Sequence, residues 1–313
     1  MMQCAQKIAL KSTALTVFVL VAVVLGSQCV LAQQELSYTQ YQFNLFDANS
    51  AYAGDHQTLS ASLRHRSQWI GMEGAPATDQ LTLHTPLLRN HLGAGIRIVS
   101  DRIGARRQQS AKLSAAYKLK LHNARLSLAI TGGMLRQYWD RNELQASDLN
   151  DAQLLQMNDA HLAPQLGAAV MYTSTRFFAG IEANSLNGAA MRSTSSSLAR
   201  LYYNMNAVAG YIHPVSETDL LEISTQWKFS EGNIWQAEVN AQYLCRNKCW
   251  FGGGYRFESA WQVHGAWMVN ELLRVGLSYD NTLGRVINRN QSSAELFLGY
   301  TLQKRAPGAV RYF

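Results

Sequence analysis

The chain has 313 residues, 28 Lys and Arg against 21 Asp and Glu, and a formal net charge of +7, so it is long enough for one large core or two ordinary ones and only mildly basic. The basic residues form no continuous, aromatic-interleaved stripe, which excludes a nucleic-acid partner from the expected functions.

In chain order, the first 32 residues stand apart. Lys7 and Lys11 precede an apolar run from Ala14 to Leu25, and Val30-Leu31-Ala32 places small residues at the positions that direct cleavage before Gln33. A spanning helix needs about twenty apolar residues, and this run is shorter, ending in Gly26-Ser27-Gln28. Gln28 in front of Cys29 argues against a lipoprotein site. Residues 1–32 are therefore expected to be a cleaved secretory signal; removing them with their two lysines leaves 281 residues, a charge of +5 and two cysteines, Cys245 and Cys249.

Residues 33–57 are expected to form a short N-terminal segment, a periplasmic arm or a plug. From 58 to 313 hydrophobicity alternates with a period of two, the period of strands. Leu221, Ile223, Thr225, Trp227 and Phe229 interleave with Leu220, Glu222, Ser224, Gln226 and Lys228. Trp235, Ala237, Val239, Ala241 and Tyr243 interleave with Gln236, Glu238, Asn240 and Gln242. Turn signals separate such segments, as at 121–124, 230–233 and 246–248, and all five prolines fall near segment ends, where a missing N–H is tolerated. The pattern predicts about fourteen strands, an even number that suits a closed antiparallel barrel.

Alternation alone does not say which face meets water. A membrane barrel turns its apolar face to lipid, and fourteen strands enclose an interior too wide for side chains alone to fill. The polar set of Arg64, Arg66, Gln68, Arg97, Asp101, Lys112, Lys118, Lys120, Glu182, Glu222, Lys228, Glu238 and Arg274 fits a wet lumen. Trp69, Trp139, Trp250 and Trp261, near segment ends, are expected in aromatic girdles, and Phe313 is a terminal aromatic of the kind that marks barrels for outer-membrane assembly. The fold class expected is all-β: a transmembrane antiparallel barrel in the bacterial outer membrane, with outer-membrane lipid as its surroundings.

Motifs of chemistry are missing. No GxSxG elbow, Walker loop, HExxH or CxxC pair occurs, so no enzyme, cofactor or catalytic residue is expected. His84 and His264 fall on polar strand faces, where a hydrogen-bonded imidazole is a commoner outcome than a metal ligand. Asp148, Asp151 and Asp159 are read as solvated charges of one long connection rather than a calcium site, and Gly252-Gly253-Gly254 as close packing within a strand rather than a phosphate cradle. Cys245 and Cys249 flank a three-residue turn and leave open a structural disulfide or two free thiols.

Several short stretches together resemble one family. Tyr38 to Asn44 (containing Tyr41, Phe43 and Asn44), Asn49 to Gly54 (with Tyr52), Arg64 to Gly71 (with Arg66, Gln68 and Trp69), Gly74-Ala75-Pro76, His84-Thr85-Pro86, Asp101 to Gly104, Cys249 to Arg256 and the closing Arg311-Tyr312-Phe313 are similar to PorP/SprF proteins. These are outer-membrane proteins of Bacteroidota associated with the type IX secretion system and gliding motility. Ser50 departs from the pattern, which usually has a proline before Ala-Tyr-Ala-Gly, and implies a less rigid turn. The resemblance implies a non-enzymatic barrel that contacts periplasmic ring and lipoprotein components of the secretion machine and helps hold or export cargo bearing a C-terminal sorting domain. On that reading the partner surface falls on residues 33–57, the 71–76 turn and the Asp101–Gly104 turn. The alternative function is a general diffusion porin or solute channel.

Overall fold

The computed structural model describes residues 38–56, 58–88, 91–140, 143, 160–188, 190–191, 199–200, 203–231, 234–283 and 292–302. Residues 1–32, expected to be a signal, the connection with Asp148, Asp151 and Asp159, and Phe313 lie outside them.

Among the described residues, sixteen strands follow in order: β1 (Ser60–Ser67), β2 (Ala77–Leu87), β3 (Leu92–Ile103), β4 (Arg106–Lys120), β5 (Ala124–Trp139), β6 (His161–Ser174), β7 (Phe177–Asn184), β8 (Ala190–Met191), β9 (Ala199–Arg200), β10 (Asn204–Pro214), β11 (Leu220–Ser230), β12 (Ile234–Cys245), β13 (Cys249–Arg256), β14 (Ala260–Met268), β15 (Leu273–Thr282) and β16 (Ser292–Thr301). Strands β8 and β9 pair only with each other, and the remaining fourteen close into one antiparallel barrel in which β1 completes the ring against β16. Closure leaves no unpaired edge, the condition for a sheet in a bilayer.

Residue parity sets the faces. In β1, Ser62, Arg64 and Arg66 are buried and point inward, while Leu63 is 48% exposed on the outside. In β11 the inward set is Leu220, Glu222, Ser224, Gln226 and Lys228, and the outward set includes Ile223, Trp227 and Phe229. Exposed Leu113, Ile130 and Leu277 continue the lipid-facing surface around the barrel. A soluble barrel would bury this face.

The two barrel ends differ. At the end where β1 begins, connections have two to five residues; at the other, residues 68–76, 140–160, 185–203 and 283–291 form longer ones. Short turns face the periplasm and long loops the cell exterior in barrels of this kind, so Ser60 marks the periplasmic end. Outward aromatics gather at both: Trp227, Phe229, Trp235, Tyr255 and Trp261 toward the exterior, Tyr117, Tyr172, Tyr211, Phe251 and Trp267 toward the periplasm. Trp250 corrects the girdle expectation: it shares inward parity with Gly252, Gly254 and Arg256 and is buried in the lumen. Gly252 is packed close, since a Cβ there would stand 2.4 Å from the Ala241 carbonyl oxygen. Cys245 and Cys249 are direct partners in the β12–β13 ladder.

Candidate functional site: the segment inside the barrel

The interior is occupied by the chain's own N-terminal residues. Three short turns, Tyr41–Phe43, Leu45–Ala48 and Ser50–Tyr52, carry residues 38–54 through the lumen, and the side chains of Tyr41, Phe46, Ala51 and Ala53 are essentially inaccessible. Such turns are too short to be stable alone. Their conformation depends on what surrounds them.

Three kinds of contact hold the segment. Toward the outer half of the lumen, a charged network grips its start. Arg66 Nη2 lies 2.6 Å from Asp280 Oδ2, and Arg66 Nη1 lies 3.3 Å from Glu295 Oε2. Glu295 accepts from the backbone N–H of Thr39 at 3.0 Å and of Gln40 at 3.3 Å. Arg64 lies 2.5 Å from Asp47 and 3.1 Å from Glu295, donates to the Gln40 carbonyl at 3.1 Å, and places its guanidinium 4.5 Å from the centre of the Tyr38 ring. Arg97 joins Asp47 at 3.5 Å and donates to the Phe46 carbonyl at 2.5 Å. Asp47 is thus engaged by two guanidiniums, Arg64 and Arg97, with the Gln80 side-chain amide as a further donor.

At mid-depth the contacts are apolar. Phe43 meets Trp250, Phe297 and His264 at ring-centre distances of 6.1, 5.9 and 5.9 Å. Leu45, Phe46, Ala48 and Ala51 complete a core with Met171, Phe178, Ile212, Leu220 and Leu244 from the barrel wall. Burying a large apolar side chain contributes about 1.5–3 kcal/mol. These side chains are packed together as in a protein interior.

At the periplasmic end is a latch. Gly54 donates its N–H to His84 Nδ1 at 3.0 Å, and Lys118 donates to the Gly54 carbonyl. Tyr52 and His56 pack on His84 at 6.2 and 5.4 Å, and Asp55 pairs with Arg125. Gly54 has φ +65, and a Cβ on it would stand 2.6 Å from the Thr85 carbonyl oxygen. The wall is notched to match: a Cβ on Gly93 would lie 1.9 Å from the Ala53 carbonyl oxygen, one on Gly95 2.4 Å from Phe46 Cζ, and one on Gly276 2.4 Å from Gln40 Oε1.

The residues singled out in the sequence divide into two groups. Tyr41, Phe43, Asn44, Asn49, Tyr52, Gly54, Arg66, His84 and Pro86 meet in the lumen: Tyr41 donates to Ser224 at 3.0 Å, Asn44 to Ser62 and Thr82 at 2.8 Å each, and Asn49 to the Val170 carbonyl at 3.0 Å. Gln68, Trp69, Gly74, Ala75, Pro76, Asp101 and Gly104 lie at the outer end. There the N–H of Gln68 donates to the Pro76 carbonyl at 2.9 Å, that of Gly104 to the Gly74 carbonyl at 2.8 Å, and the Thr78 hydroxyl to Asp101 at 2.7 Å. Trp69, Gly71, Gly74 and Gly104 have φ of 49, 90, 69 and 51, so this corner is a set of tight turns tied together, facing away from the periplasm. Sequence reasoning missed Asp47, Glu295 and the glycine notch; glycines on inward parity in β3 were the available signal.

Ser50 makes an interaction that a proline in its place could not make. Its backbone N–H donates to buried Glu182 at 2.7 Å, and proline has no N–H. Ser50→Pro is expected to destabilise the docked segment by about 1–2 kcal/mol, since losing a charge-assisted bond outweighs the few tenths to 1 kcal/mol gained by stiffening the unfolded chain. Urea unfolding in lipid vesicles checks this, and a stabilised variant would contradict it.

A closed fourteen-strand barrel with a lipid-facing apolar exterior and a lumen filled by its own N-terminal segment defines an outer-membrane barrel with an internal plug. The family described as type IX secretion system membrane protein PorP/SprF matches residues 30–300, and the chain belongs to it. No curated protein matches the chain. Among solved structures, similarity extends to the Ralstonia pickettii toluene transporter TbuX (10% identity, 85% of this chain and 94% of that one, TM-score 0.49) and the Acinetobacter baumannii outer membrane protein Omp33 (7%, 79% and 99%, 0.47). It extends also to a Pseudomonas aeruginosa FadL homologue (10%, 78% and 89%, 0.43).

Proposed function

We propose that this outer-membrane component of type IX secretion acts as a plugged, non-enzymatic anchor. The barrel holds a fixed place in the outer membrane, its short periplasmic turns and the latch beside them dock ring and lipoprotein components, and the assembly helps retain or export cargo with a C-terminal sorting domain. The observation that carries this reading is the occupied lumen. A diffusion porin needs a continuous aqueous path, whereas here Phe43, Phe46, Trp250 and Phe297 are packed across the interior. The periplasmic placement of the latch favours it over a partner surface on the 71–76 turn.

The experiment pairs mild-detergent co-purification from the native outer membrane with conductance of the purified barrel in a planar bilayer. The expected outcome is recovery of secretion-ring components together with a silent barrel. Recovery of the barrel alone, with steady open conductance, would replace this reading with the porin.

A further inference from the structure

The lipid-facing surface is uneven around the barrel. Over β10–β16 its outer band is aromatic: Trp227 stacks with Phe229 and with Trp235, each at 6.4 Å, and Trp261 packs on Tyr279 at 6.0 Å. Over β1–β5 the outer band is polar. One row of direct cross-strand partners, all outward, runs His65, Asp79, Ser100, Gln109, Arg136. The next row toward the exterior runs Ser67, Ala77, Arg102, Arg107, Tyr138. The row on the other side is apolar throughout: Leu63, Leu81, Ile98, Ala111, Met134.

The charges on this band are unevenly matched. Asp79 is engaged by His65 at 2.7 Å, and Arg107 is held by Asp140 and Glu143 of the following loop. Arg102 is exposed, and among the described residues it has no carboxylate partner. Arg136 lies over the Tyr138 ring at 4.7 Å, again with no carboxylate among the described residues. Arg102 stands directly opposite Arg107, and Arg136 diagonal to Arg107, so the two arginines without a carboxylate flank one whose charge is already matched by Asp140 and Glu143. Ser100 and Gln109 are paired between the two unmatched arginines and supply neutral donors. Arginine's planar fork matches phosphate oxygens, and charge on the lipid face is tolerated only near the interface.

We propose that Ser100, Arg102, Gln109 and Arg136 form a binding site for the phosphate-bearing headgroup of an outer-leaflet lipid, whose acyl chains lie along Ile98, Ala111 and Met134. The site is independent of the luminal segment and of the secretion role. It would fix the rotation of the barrel in the membrane, with one flank against charged headgroups and the other held by aromatics.

The test uses the full mature barrel in detergent, native mass spectrometry, and three probes: phosphorylated lipid A, the same lipid A after enzymatic dephosphorylation, and inorganic phosphate. Wild type is expected to retain the phosphorylated lipid about tenfold better than the dephosphorylated one. The Arg102→Gln/Arg136→Gln double variant, checked for closure by its heat-modifiable gel mobility, should lose that preference. Equal retention of both lipids, an unaffected double variant, or inorganic phosphate binding as well as the lipid would overturn the proposal. So would a co-purified protein that shields Arg102 and Arg136 from phenylglyoxal in native membranes, since it would make the face a protein interface.

Discussion

Replacing Gly93 with valine and Gly95 with leucine is expected to unseat the N-terminal segment and turn a silent barrel into a conducting one. The Cβ at 93 would meet the Ala53 carbonyl oxygen at 1.9 Å and its carbon at 2.6 Å, and neither is the tip of a flexible side chain. The backbone at Ala53 must move, and with it Gly54, which ends the bonds to His84 and Lys118. At 95 the clash is with the Phe46 ring, inside the apolar core. Both glycines sit in β3 among ladder-paired neighbours, and valine and leucine suit a strand, so the wall should survive. The loss falls on the plug. Single-channel steps should appear in planar bilayers, and a protease added from the periplasmic side should cut within residues 38–56. A double variant that stays silent and uncut would show that the segment relaxes in place and that the glycine notch is not what seats it.

The barrel wall was legible in the sequence because a strand in a bilayer has few choices. Inward and outward residues must differ in polarity, so alternation in stretches such as 220–230 and 234–245 marked strands to within a residue or two of their ends. The placement of 33–57 was not legible. Its turns of three and four residues carry no periodicity, and its position is set by bonds such as Thr39 to Glu295, 256 residues apart. A glycine in a strand signals close approach without naming what approaches, which is why the matches of Gly93 with Ala53 and of Gly95 with Phe46 had to be seen. Trp250 was misread for a different reason. Position near a strand end suggested a girdle, while its parity with Gly252, Gly254 and Arg256 already placed it inside. The family motifs were legible as a set but not as two sites, because a stretch such as Arg64 to Gly71 begins in the lumen and ends in the outer corner.

Arg66→Met is expected to destabilise the protein by about 3–5 kcal/mol, the cost of leaving buried charge without its partner. Arg66, Asp280 and Glu295 are each at most 3% accessible, and removing the guanidinium leaves Asp280 with Arg256 at 3.6 Å and Glu295 with Arg64 at 3.1 Å. Two carboxylates then share a low-dielectric site with one cation fewer, and Arg256 is already engaged by Glu238 at 3.0 Å. Thr39 loses its contact with Arg66 at 3.0 Å, so the start of the segment is released from the wall as well. Adding Asp280→Asn should recover part of the loss, because the uncompensated charge goes while Glu295 keeps Arg64 and the two backbone N–H groups of Thr39 and Gln40. The single and double variants, unfolded by urea in lipid vesicles, separate a charge effect from a packing effect. A loss below about 1 kcal/mol in the single variant would mean that the network is solvated like a surface pair, and that the apolar core around Phe43 and Phe46 holds the segment by itself.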